Sequence, residues 1–192
     1  MAKLEISSLK DILADLKNPL ESQNYEKMKR SIMAQIIRQK DMVFQREVSP
    51  DGNQWAKLSQ MAEERRNEKR SKNPVKNENG EVKYAFHKVL QDTGTLRNSV
   101  SAPVAPHGIR STIGDEVQVG TNLNYAATHQ YGADIRPTKA KALAIPMAGG
   151  GVVFAKHVRI PSRPFLGFSS DGKDEQEIQK IIQRHVTNYL VK

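Results

Sequence analysis

The chain has 192 residues and a mass of 21.5 kDa, room for one ordinary domain with a buried core and too little for two independent ones. Hydrophobic residues make up 38% and charged residues 27%, with a mean hydropathy of −0.62, so the core is modest and much of the chain faces water or a partner. A formal net charge of +9 and a pI near 9.7 favour nucleic acid or an acidic protein surface as partner, while the absence of cysteine excludes disulfides, thiolate zinc sites and cysteine nucleophiles.

In the first residues, MAKLEISSLKDILADL, Leu9, Ile12, Leu13 and Leu16 recur at helical spacing after Ser7 and Ser8, and Asn18-Pro19 stops or kinks the helix. The pattern is amphipathic and contains acids, unlike a signal peptide, and no apolar run reaches the roughly 20 residues that cross a bilayer. The protein is expected to be made and kept in the cytoplasm, with no membrane partner. From residue 19 to 47 there is no glycine, and Tyr25, Met28, Ile32, Ile36, Val43 and Phe44 mark one apolar stripe. This predicts a long helix with one buried face.

The run SPDGNQW (residues 49–55) is a turn signal, and Trp55, the single tryptophan, is expected to dock on the core behind it. Residues 57–72 are helix-prone but almost wholly charged, which predicts a solvated helix; Asn73-Pro74 through Gly80 reads as a mobile loop after it. Beyond Gly80 the period changes. Strands are predicted over residues 84–90, 99–105 and 116–120, and over 142–147 and 152–158, the last two joined as a hairpin across Ala148-Gly149-Gly150-Gly151. A short helix is predicted over 124–130, capped by Asn122 or Asn124 and ended by Gly132. A C-terminal helix over 173–191 carries Ile178, Ile181, Ile182, His185, Val186 and Tyr189 at helical spacing.

The whole reads as an α+β fold: N-terminal helices, one of them long, an antiparallel β-sheet with a β-hairpin arm, and a C-terminal helix packed on the sheet or on the long helix, with the sheet taken as its main neighbour. Within one domain, residues 1–48 form the helical region, 49–80 the turn, charged helix and loop, and 81–192 the α+β core.

Five histidines, His87, His107, His129, His157 and His185, show no metal-ligand spacing, so neither a metal nor another cofactor is expected. No GxSxG elbow accompanies the serines. The Gly149-Gly150-Gly151 and Val119-Gly120-Thr121 segments lack the lysine and hydroxyl of a phosphate loop and read as a hairpin tip and a strand exit. No catalytic residue is assigned, and the chain is expected not to be an enzyme. Two sets of contact residues remain. Tyr125, His129 and Tyr131 read as local packing or a subunit contact, and Arg163 and Phe165, on backbone stiffened by Pro161 and Pro164, as a contact or a rigid lead into the last helix; as a hypothesis all five are taken as interface residues. Arg136, Lys139, Lys141, Lys156 and Arg159 form a basic arm in a stretch with no acidic residue from Arg136 to Arg163. Such an arm suits an acidic protein surface or DNA bound without sequence readout.

The ordered set SPDGNQW, LQDTGTLRNSV (residues 90–100), VGTNLNYAATHQYG (119–132) and IPSRPFLGFS (160–169) resembles the phage virion morphogenesis, or tail completion, family. The resemblance implies a structural virion protein at the head–tail junction or tail end, a neck or tail-terminator ring without enzymatic activity. It implies a homo-oligomeric ring whose neighbours are other neck and tail proteins: a head–tail connector, tail tube or terminator. On that reading the basic arm faces either passing DNA or a protein rim. The double substitution of Arg163 and Phe165 by alanine is then expected to give a folded protein that fails to complete virions.

Overall fold

A computed structural model describes residues 22–72 and 88–190. The predicted N-terminal short helix, the loop after Lys72, His87 and most of the strand predicted over 84–90 lie outside the described residues. The long glycine-free segment forms helix α1 (Ser22–Arg46), and its apolar stripe is the spine of the molecule. Toward its start, Tyr25 and Met28 are buried with Ile32 against Ile182 and Val186 of the C-terminal helix. Toward its end, Val43 and Phe44 are buried in a second cluster with Trp55, Val89, Leu90, Leu96, Val100, Ala126 and Phe165.

After α1 the chain reverses as predicted. Gly52 donates its N–H to the Ser49 carbonyl at 2.9 Å, Ser49 donates to the Asn53 carbonyl at 2.8 Å and Trp55 to the Glu47 carbonyl at 2.9 Å. Trp55 is thereby turned inward, edge-on to Phe44 with ring centroids 5.4 Å apart. The charged segment forms helix α2 (Gln60–Lys72), whose described side chains are exposed or half-buried, as its composition requires.

Residues 99–105, predicted as a strand, instead contribute to helix α3 (Thr95–Ser101). Leu96, Ser99 and Val100 are its buried residues. They stand three and four apart, which a helix, not a strand, brings to one face. The segment continues into Pro103, which cannot extend a helix. The described end of the other predicted strand, residues 88–90, is a turn.

Strands β1 (Gly108–Ser111) and β2 (Gln118–Thr121) pair antiparallel, with Ile109 opposite Gly120. Helix α4 (Ala126–Tyr131) follows. Its N-cap position is Tyr125, without a side-chain cap, so neither Asn122 nor Asn124 has the capping role the sequence pointed to; Gly132 ends the helix as expected. Strand β3 (Ala133–Ile135) pairs with β6 (Val158–Ile160), and between them β4 (Leu143–Pro146) and β5 (Val152–Ala155) form the predicted hairpin. The strand predicted through residue 158 breaks at Ala155, and Val158 joins β3 instead.

The antiparallel character is borne out, but among the described residues the strands form three separate two-stranded ribbons in place of one sheet. Each strand is only three or four residues long, and prolines at 137, 146 and 161 withhold the N–H donors that a wider ladder needs. With no broad sheet face to cover, helix α5 (Lys173–Leu190) lies along α1. Of the two packings the sequence left open, the long helix is its main neighbour, not the sheet.

Candidate assembly surfaces

The four sequence motifs converge on Phe44. From the third motif, Gln130 Oε1 accepts N–H bonds from Phe165 and Leu166 of the fourth, both at 3.0 Å, while its Nε2 donates to the Leu166 carbonyl at 3.2 Å. The Arg163 N–H donates to the His129 carbonyl at 2.7 Å. The first motif closes the clasp: Trp55 Nε1 donates to the Pro164 carbonyl at 2.9 Å. Arg163 Nε and Nη2 in turn donate to the carbonyls of Ala56 and Lys57 at 2.8 and 3.0 Å. From the second motif, Leu96 and Val100 enter the same cluster. Arg97 Nε reaches Asp41 Oδ1 at 2.8 Å, and Gln91 Nε2 donates to the Phe44 carbonyl at 2.7 Å.

Gly132 makes the clasp possible. At φ 77° it occupies the left-handed region, and a Cβ there would stand 2.9 Å from both the Ile160 carbonyl oxygen and the Ser162 nitrogen. Only glycine lets the end of α4 approach the fourth motif this closely.

The five expected interface residues therefore separate. Phe165 has no exposed surface and Arg163 only 5%; their contacts are made inside the chain. Both are core positions of this chain, so cutting them to alanine is expected to cost stability as well as any contact. His129 is half-buried, its ring edge-on to Tyr125 with centroids 6.0 Å apart and its Nδ1 without a hydrogen-bond partner. Burial, with the positive charges of Arg163 and Arg66 nearby, lowers its pKa from the usual histidine value. Tyr125 and Tyr131 face solvent, at 39% and 79% exposure.

The basic arm is on the surface: Arg136, Lys139, Lys141, Lys156 and Arg159 are all exposed. Its sequence neighbour Asp134 tempers it, bonding Arg136 at 3.1 Å and His157 Nδ1 at 3.1 Å, so that Asp134 is held below the ordinary carboxylate range, chiefly by the Arg136 hydrogen bond. The hairpin tip is a turn, not an anion cradle. Met147 N–H donates to the Gly151 carbonyl at 2.7 Å, and Gly149 N–H donates to Glu68 Oε2 on α2 at 3.0 Å.

Two lysines that the sequence placed among the polar residues of α1 are buried instead. Lys29 donates to the carbonyls of Thr112 and Gly114 at 2.8 and 2.9 Å, beside a hydrogen bond from the Tyr25 hydroxyl to Asp115 Oδ1 at 3.0 Å. Burial, with the Asp115 carboxylate, pushes the Tyr25 hydroxyl up to about 12. Lys40 donates to the Gly167 carbonyl and lies 5.3 Å from the Phe168 ring centroid. Its burial lowers its pKa against the opposing pull of Asp174 and Glu175. Sequence periodicity could not find them, because a lysine that spans from helix to loop carbonyls leaves no pattern distinct from a solvated one.

Among the described residues, no three histidine or acidic side chains cluster as a metal site would require. No described helix is long and apolar enough to cross a membrane. What the described residues display is an α+β body with exposed aromatic and cationic side chains, the kind of surface that protein interfaces use. Comparison with known families gives the class: the model of the phage virion morphogenesis family matches residues 4–187. The chain belongs to this family, and its role lies in building the phage particle. No curated protein and no solved structure matches it.

Proposed function

We propose that the protein completes the phage tail and joins it to the head, as a homo-oligomeric neck or tail-terminator ring at the head–tail junction, and that it works by binding without turning over a substrate. The observation that carries this reading is the family match over residues 4–187. A ring needs two different faces on each copy, and the exposed aromatics Tyr125 and Tyr131 and the basic arm supply surface that the chain's own core does not use. Its neighbours would be a connector on one side and a tail tube or terminator on the other. Deleting the coding sequence from the phage that carries it should yield lysates of separate filled heads and tails in electron micrographs, restored by the gene in trans. Joined infectious particles without the protein would refute the proposal.

A second reading, DNA binding without sequence preference, is favoured by the exposure of Lys139, Lys141, Lys156 and Arg159. If all four contact phosphates, log K against log salt should fall with a slope of about −3 to −4. Failure to bind duplex at low salt would remove it.

A further inference from the structure

The hairpin of β4 and β5 carries eight apolar residues in its strands and buries none of them. Phe154 is 71% exposed and Val152 52%. A two-stranded ribbon is marginal in water by itself, and among the described residues this one is anchored at its tip, where Gly149 N–H donates to Glu68. At its base stand Lys139, Lys141, Lys156 and Arg159, all exposed. The arm is therefore an apolar knob in a positive collar.

Elsewhere on the chain lies a groove of the opposite character. It is formed by Met42 and Val43 of α1, Val48 and Pro50 of the following turn, and Asp174 at the start of α5, with Arg46 at one margin, and has a volume of about 160 Å³. A cavity of about 150 Å³ holds a benzene ring, so the groove is sized for one phenylalanine side chain. Beside it runs an acidic segment: residues 171–177 carry Asp171, Asp174, Glu175 and Glu177 against Lys173 alone; of these Asp174 lines the groove itself, while Asp171 pairs with Lys173 and Glu177 with Lys180. Asp51 joins them by accepting the Ser170 N–H at 2.7 Å. None of the hairpin's residues lines this groove.

We propose that the hairpin of one copy docks in the groove of the next, Phe154 entering between Met42 and Pro50 while Lys156 and its basic neighbours meet the acids of residues 171–177. The inference rests on the assembly reading above for the kind of partner, and names the surfaces by which copies join. Charge complementarity commits the groove to a second copy: a +9 chain repels itself except where such opposite patches meet. Because knob and groove are different surfaces, the interface is heterologous, and repeating it by rotation closes a ring.

The test uses the full chain and sedimentation velocity over a concentration series. The wild type should self-associate. Phe154→Asp and Met42→Lys alter exposed side chains, so both should keep the wild-type circular dichroism, yet each alone should weaken association by about thirtyfold or more, as loss of a central aromatic anchor does. Mixed together, they should recover at least one-to-one dimers, since the mixture has one sound knob facing one sound groove. A monomeric wild type, or either variant with wild-type association, overturns the proposal. So does self-association lost in Phe154→Asp but retained in Met42→Lys, which would mean that knobs pair with each other. These outcomes are read in solution and stand apart from the location in the virion: a chain that assembles through these residues while particles form normally without it would sink the head–tail reading and leave the interface intact.

Discussion

Cutting Phe165 to alanine distinguishes a core residue from a contact residue. The ring has no exposed surface and sits 5.6 Å from the ring of Phe44, itself fully buried. Its backbone is pinned by Gln130 and its neighbour Pro164 by Trp55, so the surroundings have little freedom to collapse into the space left. Phenylalanine-to-alanine changes in such sites cost about 3–5 kcal/mol, transfer and cavity together. Against a total stability of about 5–15 kcal/mol for a domain, the variant folds marginally. With a urea slope of about 2 kcal/mol per molar, a loss near 4 kcal/mol moves the midpoint down by about 2 M. The assay is urea unfolding followed by the fluorescence of Trp55, the only tryptophan, whose indole is edge-on to Phe44 in the same cluster. A midpoint within about 0.5 M of wild type, or under about 1 kcal/mol at that slope, would refute the reasoning. Phe165 would then have to be free of the core, as a residue reserved for a neighbouring subunit is.

Gly132→Ala should lower stability by about 2 kcal/mol or more, since it combines a left-handed backbone with a close approach to fixed main-chain atoms. For a chain of this length that corresponds to about 4–8 °C in the melting midpoint, read by differential scanning calorimetry; an unchanged midpoint would mean that the clasp is looser than described. The depressed pKa of His129 sets a pH dependence. The unfolded chain binds the proton near pH 6.5 and the folded chain only below that, so between the two values the unfolded state holds more protons and stability falls as pH falls. Unfolding midpoints measured from pH 7.5 down to 5 should decline in the wild type, and His129→Gln should flatten the decline. Equal slopes in the two proteins would remove His129 as its source.

Much of the fold was legible because its signals are local. The stripe from Tyr25 to Phe44, the 49–52 turn, the Gly149-centred hairpin and the C-terminal stripe each require a few residues in a row, and each is an element of the structure. The strand expected at 99–105 failed because β-branched and small residues outweighed the three- and four-residue spacing of Leu96, Ser99 and Val100, which a core at Phe44 then rewarded. The site was less legible for a related reason. Large side chains beside proline and glycine look alike whether they await a partner or close on their own chain. Nothing local says that Arg163 will find the carbonyls of Ala56 and Lys57, more than 100 positions earlier. Gln130, which holds both Phe165 and Leu166, carried no signal except its place between His129 and Tyr131.

Because β3 and β6 pair directly, with Ile135 opposite Val158, residues 136–157 leave the body and return to one point. Paired Cα atoms stand about 5 Å apart, so a short Gly/Ser turn can bridge Arg136 and His157 without moving either strand. The core around Phe44 draws none of its buried residues from this excursion, and among the described residues the tip of the hairpin is held to α2 by the bond from Gly149 N–H to the Glu68 carboxylate. A chain with residues 137–156 replaced by such a turn should unfold cooperatively in urea within about 1 M of the wild-type midpoint, while losing self-association altogether. Collapse of cooperative unfolding would show that the hairpin belongs to the core. Retained association would move the contact surface to the aromatic pair Tyr125 and Tyr131, which the replacement leaves in place.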